Sequence, residues 1–218
     1  MKELSPKIFL DGKMMYTTNL TPGIRVYGEK LISHDSIELR EWDPTRSKLA
    51  AAILNGLKDI PITEKSKVLY LGASTGTTVS HVSDIVGESG VVYALEFAER
   101  VFRNLLDLCK KRRNIIPLLA DTRKPEDYYW VEECDVVFCD VADPQEVDIF
   151  MRNCNEFLKK GGYGLLSIKS RSIDVTKSPK EIYKREVEKL KSKHFDIIDF
   201  VDLEPHEKDH ALVLVRKP

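Results

Sequence analysis

Nowhere in these 218 residues is there an apolar run near the roughly 18 residues that a membrane-crossing helix requires. The first residues, Met1-Lys2-Glu3-Leu4, lack the apolar segment of a secretion signal, so the expected location is cytoplasmic. Cysteine is scarce. Cys109, Cys134, Cys139 and Cys154 form no CxxC pair and sit inside apolar patterns, which predicts buried thiols in a reducing compartment. HExxH is missing, and His34, His81, His194, His206 and His210 show no metal spacing, so no metal site is expected. There is no GxSxG nucleophile elbow either. Net charge is −1, which gives the whole molecule no field that would gather nucleic acid.

The composition that remains is that of a soluble globular chain, 42% hydrophobic and 32% charged. Its length suits one substantial core with a small extension. Charge is nevertheless unevenly spread. Lys159 to Lys193 holds 11 Lys or Arg against 4 Asp or Glu, Lys110-Lys111-Arg112-Arg113 forms a second cluster, and acids collect from Asp196 to Asp209. Such separation can offer one basic face to a polyanion while the total stays near zero.

Val68-Leu69-Tyr70-Leu71-Gly72-Ala73-Ser74-Thr75-Gly76-Thr77-Thr78 carries the most information. It reads as a buried strand, a glycine turn and a helix start, which together present free backbone N–H groups to a ligand. Thr77-Thr78 replaces the Lys-Ser or Lys-Thr of a Walker loop, and the spacing of Gly72 and Gly76 does not match the dinucleotide fingerprint. An adenosyl cofactor without a pyrophosphate suits the loop, and S-adenosylmethionine is the natural candidate.

The chain divides by pattern. Residues 1–42 read as a small β region, with apolar pieces at Ile8-Phe9-Leu10, Met14-Met15-Tyr16, Ile24-Arg25-Val26-Tyr27 and Ile37-Glu38-Leu39 between turns. Residues 43–218 read as a second domain. Asp43-Pro44 offers a cap and first-turn proline for a helix through Leu54. Strands over 67–71, 91–95, 115–119, 135–139 and 163–168 then alternate with helices over 77–86, 98–110, 144–159 and 179–192. Strands near 195–201 and 211–215 close the chain, joined by too few residues for a parallel crossover, so the last must enter antiparallel. The predicted fold is α/β: a seven-stranded, mostly parallel sheet with an antiparallel last strand, as in class I methyltransferases, plus the N-terminal β region.

Ligands of open α/β sheets collect at the carboxyl ends of strands. Glu96 ends the second strand, where a carboxylate can accept from both hydroxyls of an adenosine ribose, and Phe97 can lie against adenine. Asp121 is placed to accept from the adenine amino group, or to cap the turn before Pro125. Asp140 and Lys169 end strands expected to be neighbours, which makes them a candidate catalytic pair. His210 opens the last strand. Lys48 reads from the pattern alone as an ordinary helix lysine, and His81 as structural.

Taken in order, the motifs carry more than any one of them. Val26-Tyr27-Gly28-Glu29-Lys30, Glu41-Trp42-Asp43-Pro44, Arg46-Ser47-Lys48-Leu49-Ala50-Ala51-Ala52, the glycine segment, Leu95-Glu96-Phe97, Asp121-Thr122-Arg123-Lys124-Pro125, Asp140-Val141-Ala142-Asp143-Pro144-Gln145, Ile168-Lys169 and Asp209-His210-Ala211 span nearly the whole chain. This series closely resembles the fibrillarin family in its archaeal 2′-O-methyltransferase form. The resemblance implies a catalytic set of Lys48, Asp140, Lys169 and His210. It implies cofactor contacts from Gly72, Ser74, Thr77, Thr78, Glu96, Phe97, Asp121 and Asp140. It further implies a Nop5-like scaffold, a kink-turn-binding protein, a box C/D guide RNA, and target rRNA or tRNA selected by guide pairing. The family's eukaryotic members carry a Gly/Arg-rich extension that is not in this sequence, and Ala73-Ser74-Thr75 and the placement of Gln145 depart from the usual pattern. Two other readings remain at this point, a nicotinamide-dependent oxidoreductase and a nonenzymatic assembly subunit. The absent GxGxxG and Tyr-x-x-x-Lys motifs count against the first, and the full set of reactive side chains against the second.

Overall fold

Five short strands open the computed structural model, which describes residues 1–218. These are β1 (Lys2–Ser5), β2 (Ile8–Asp11), β3 (Met14–Thr18), β4 (Leu31–His34) and β5 (Ile37–Glu41), antiparallel in the order β1-β2-β3-β5-β4. The apolar piece Ile24–Tyr27 is not a strand, contrary to the expectation from its residues. Its amides are taken by a side chain instead: the Glu29 carboxylate accepts from Val26 N at 3.0 Å and Tyr27 N at 2.8 Å. β4 fills that place in the sheet.

The main sheet comprises β6 (Lys67–Leu71), β7 (Val91–Glu96), β8 (Ile115–Leu119), β9 (Cys134–Cys139), β10 (Leu158–Lys169), β11 (Asp196–Asp202) and β12 (His210–Arg216). Their order is β11-β12-β10-β9-β6-β7-β8, and only β12 runs against the others. Helices α1 (Lys48–Leu54), α2 (Thr77–Val86), α3 (Glu99–Cys109), α4 (Glu146–Phe157), α5 (Ser170–Ile173) and α6 (Pro179–Ser192) complete the chain, with a single 3₁₀ turn at Pro125–Tyr128. Alternation along β6 shows why both faces are covered. Val68 and Tyr70 enter one apolar core, Leu69 and Leu71 the other.

Several boundaries differ from the sequence pattern, and the hydrogen bonds and pairing give the reason at two of them. Asp43 does not cap α1; its carboxylate accepts from Thr45 N at 2.9 Å in a local turn, and Ser47 caps the helix by accepting from Ala50 N. Lys48 therefore begins the helix. The helix expected over 144–159 ends at Phe157, because Leu158 already pairs with Cys134 and the irregular stretch before Tyr163 belongs to β10. Cys134, Cys139 and Cys154 are buried free thiols as expected, whereas Cys109 at the end of α3 is only partly buried.

A buried polar network fastens the N-terminal strands to α2. Arg40 of β5 donates to Glu29 Oε1 at 2.6 Å, Asp84 Oδ2 at 3.0 Å and Ser80 Oγ at 2.7 Å. Arg112 donates to the other Asp84 oxygen at 2.6 Å. His81 has the structural role its position implied: it bonds Thr17 at 2.7 Å and Tyr27 at 2.8 Å and stacks on Trp42. Burial, with Arg40 and Arg112 close by, holds its imidazolium pKa well below the usual range. Arg112, counted in the sequence among a basic cluster, is thus withdrawn from the surface and offers nothing to a polyanion.

Candidate active site at the strand ends

The carboxyl ends of β6, β7, β9 and β10 open onto a cleft of about 400 Å³. Gly72, Ser74, Glu96, Phe97, Asp121, Asp140 and Lys169 all line it, so seven of the residues singled out from the sequence meet in one place. Gly72 is needed there on two counts. Its φ is +84°, and a Cβ would lie 2.8 Å from the Asp140 carbonyl oxygen. The turn passes that close because Asp140 N–H bonds Leu71 O across the neighbouring strands.

Glu96 is held ready by backbone. Ser74 N and Ala98 N each donate to one of its oxygens at 2.8 Å, which fixes the carboxylate in plane and leaves lone pairs on both oxygens for further donors. Phe97 is 66% exposed, an apolar ring standing in water at the rim of a polar cleft. The cap position before α2 is Gly76, which has no side chain to bond the first amides. A fixed carboxylate and an exposed aromatic face at the rim of one cleft fit an adenosyl group.

Asp121 lines the same cleft, but its carboxylate is gripped by Arg123. The guanidinium donates at 2.9 Å to each oxygen, and these bonds hold the acid below its usual pKa. The turn-capping alternative is realised as well, since Arg123 N donates to Asp121 Oδ1. Thr78 is buried and donates to Ser47 Oγ at 3.0 Å, tying the start of α2 to the cap of α1. Thr77 does not line this cleft; it faces a second concavity with Tyr27, Thr75 and Lys111.

The candidate catalytic groups converge on Asp140. Lys169 Nζ lies 2.9 Å from Asp140 Oδ1 and donates to the Asp140 carbonyl at 2.7 Å. Lys48 Nζ approaches the same Oδ1 at 3.3 Å from α1, so the start of that helix at Ser47 is what delivers it. The two ammonium groups and the carboxylate are each about one-seventh exposed. His210 pairs with Lys169 across β10 and β12, yet its ring turns back, with Nδ1 donating to Lys208 O at 2.6 Å. The backbone brings it alongside the other three without contact.

Three contributors were not visible in the sequence. Tyr70, one turn of pleat before Gly72, donates to Asp140 Oδ2 at 3.4 Å from a fully buried ring. Arg123 is the second, through Asp121. The third is Glu146, the first residue of α4, which accepts from Lys169 N at 2.9 Å and has no solvent exposure. Burial pushes its carboxyl up to about 8. A charged residue in the first turn of a helix ordinarily reads as a dipole partner, which hid this one.

Sheet order, glycine turn and the acid at the end of β7 together define a class I methyltransferase fold. Within that class the chain belongs to the fibrillarin family, whose model matches residues 7–218. The fibrillarin-like rRNA/tRNA 2′-O-methyltransferase of Thermococcus sibiricus is 54% identical over 203 residues, covering 93% of this chain and 89% of the relative. The Aeropyrum pernix fibrillarin crystal structure, which holds natively bound S-adenosyl-L-methionine, matches with TM-score 0.87 and 49% identity over 93% of this chain and 88% of that one. A fibrillarin solved in complex with Nop5p matches with TM-score 0.92 and 38% identity, over the full length of both chains.

Proposed function

We propose that this chain methylates the 2′-hydroxyl of ribose in rRNA and tRNA as the catalytic subunit of a box C/D guide ribonucleoprotein. The observation that carries the reading is the meeting of Lys48, Asp140 and Lys169 beside an adenosine-sized cleft whose carboxylate is prepositioned. S-adenosylmethionine supplies a methyl group activated by its sulfonium. Gly72, Ser74, Glu96, Phe97 and Asp121 hold the adenosyl moiety. Lys169 contacts the ribose hydroxyl. As the oxygen–methyl bond forms and the sulfur–methyl bond breaks, S-adenosylhomocysteine is released. The hydroxyl proton passes to the Lys169 amine, which must have given up its own proton to water beforehand. Asp140 orients Lys169, and Lys48 balances the carboxylate's charge from the other side. His210 stands at the rim with Nε2 free.

The assembly follows from the same reading. A Nop5-like scaffold holds the enzyme, a kink-turn-binding protein organises the guide RNA, and the complex works in the cytoplasm. The chain contains no recognisable RNA-binding module, so pairing between guide and target selects the ribose while basic side chains contact phosphates. The test supplies labelled S-adenosylmethionine to the chain alone and to the chain with scaffold, kink-turn protein, guide and complementary target. One methylated ribose, mapped at the guided position and only in the full assembly, is expected. Efficient site-specific transfer by the chain alone would overturn the division of labour.

The cofactor site makes a separate prediction. Glu96→Ala removes acceptors for two ribose hydroxyls, and hydrogen bonds to a charged group contribute about 1.5–3 kcal/mol each. Calorimetry should show affinity for S-adenosylmethionine falling by at least about tenfold, with native circular dichroism. Equal affinity in the two proteins would reject the ribose assignment.

A further inference from the structure

The β9–β10 ladder ends where Leu166 pairs with Cys139. β9 itself ends at Cys139, and the Asp140 N–H points to the other side, bonding Leu71 O of β6. The Lys169 amide, three residues beyond that last pair, therefore has no strand partner on that side, although β10 continues its pairing with β12 on the other. Glu146 Oε1 takes the amide at 2.9 Å. No water reaches the carboxyl, and its second oxygen, Oε2, has no partner.

We propose that Glu146 is a positioning residue for methyl transfer: its carboxyl replaces the missing strand partner of Lys169 and so fixes the backbone from which the reactive amine projects. The proposal rests on the functional reading above. A lysine side chain has four rotatable bonds, and its amine stays over Asp140 only if the main chain beneath it is held. Here that chain is leaving the sheet, because Lys169 is already the cap of α5 with φ −104° and ψ 88°. Oε1 accepts the amide, so the acid proton resides on Oε2, and the raised pKa keeps it there near neutral pH. The groups acting on this carboxyl are Lys169, Glu186 of α6 and Asp140, with the Cys139 thiol of β9 also near. A neutral acceptor is what the site uses. Glutamine should therefore replace Glu146 well and alanine should not.

Glu146→Ala and Glu146→Gln are compared in the assembled guide complex by single-turnover methylation, and in the free full-length chain by amide hydrogen exchange and calorimetry. Alanine should slow transfer by at least tenfold with S-adenosylmethionine affinity within twofold of wild type. Glutamine should restore most of the rate. Exchange of the Lys169 amide should accelerate at least tenfold with alanine and stay near wild type with glutamine. Unchanged exchange in Glu146→Ala overturns the proposal, as does a full transfer rate in that variant. A parallel fall in rate, cofactor affinity and melting temperature in both variants also overturns it, because that is the signature of general destabilisation. If the wild-type complex itself transfers no methyl group, the functional reading fails, and the exchange measurement still decides whether Glu146 holds Lys169.

Discussion

Lys169→Ala should lower the single-turnover methylation rate by about 10²–10⁴-fold, the range of a positioned general acid–base group, while S-adenosylmethionine binds within about twofold of wild type. The asymmetry follows from placement. Lys169 ends β10 at the Asp140 side of the cleft, whereas Glu96 and Phe97 end β7 on the far side of β6. On the proposed reading, removing the amine strips the reacting hydroxyl of its partner and leaves the adenosyl contacts in place. Arginine should not restore the rate. Its guanidinium keeps the charge but stays protonated, and its planar fork cannot direct one donor to the Asp140 carbonyl at 2.7 Å while the carboxylate oxygen lies at 2.9 Å. Chemistry is measured in preassembled, saturated complexes, with cofactor and RNA occupancy checked separately. Near-normal rates in both variants would remove Lys169 from the mechanism. Strong activity with arginine alone would keep it there as a fixed charge and not as a base.

The strand ends were readable because burial and charge change abruptly there. Asp140 follows Val136-Val137-Phe138-Cys139, and Lys169 follows Leu165-Leu166-Ser167-Ile168; in an open sheet such a break marks the ligand edge. Lys48 was different. Helix pattern alone made it ordinary, and only the resemblance raised it. Its distance to Asp140 depends on Ser47 as the cap, whereas Asp43-Pro44 offered an equally good local signal four residues earlier. Two adequate caps compete, and tertiary contact decides: Ser47 Oγ also receives the Thr78 hydroxyl. Glu146 and Arg123 were hidden for a related reason. Glu146 acts on a backbone amide that folding brings close, Arg123 grips the Asp121 carboxylate two residues away, and neither interrupts an apolar run. The N-terminal strands were misjudged at Ile24–Tyr27 because period-two hydrophobicity cannot register that a nearby glutamate will claim the amides.

Asp84→Ala should destabilise the fold by about 3–5 kcal/mol, the usual effect of removing one member of a buried ion network. The carboxylate serves Arg40, Arg112, the Thr17 hydroxyl and the Leu20 amide at 2.6 to 3.0 Å, and none of these donors has water to turn to at Arg40, Arg112 or Thr17. Without it, Arg40 keeps Glu29 as its one carboxylate partner and Arg112 is left with none. Charge left unpaired in this way costs far more than a lost surface contact. The exposed Lys67–Glu132 pair is the internal comparison, because Glu132→Ala should change stability far less. For a domain of this size the Asp84 change corresponds to a fall in melting temperature of roughly 6–20 °C. Urea unfolding and thermal melting measure both variants. The effect should also reach the cofactor site, since Asp84 and His81 anchor the same helix whose first residues, Thr77 and Thr78, adjoin the glycine turn. S-adenosylmethionine should then bind Asp84→Ala more weakly and recover part of the lost melting temperature when saturating, by the ordinary linkage of binding to folding. A stability within 1 kcal/mol of wild type would show that the network contributes little to joining the two sheets.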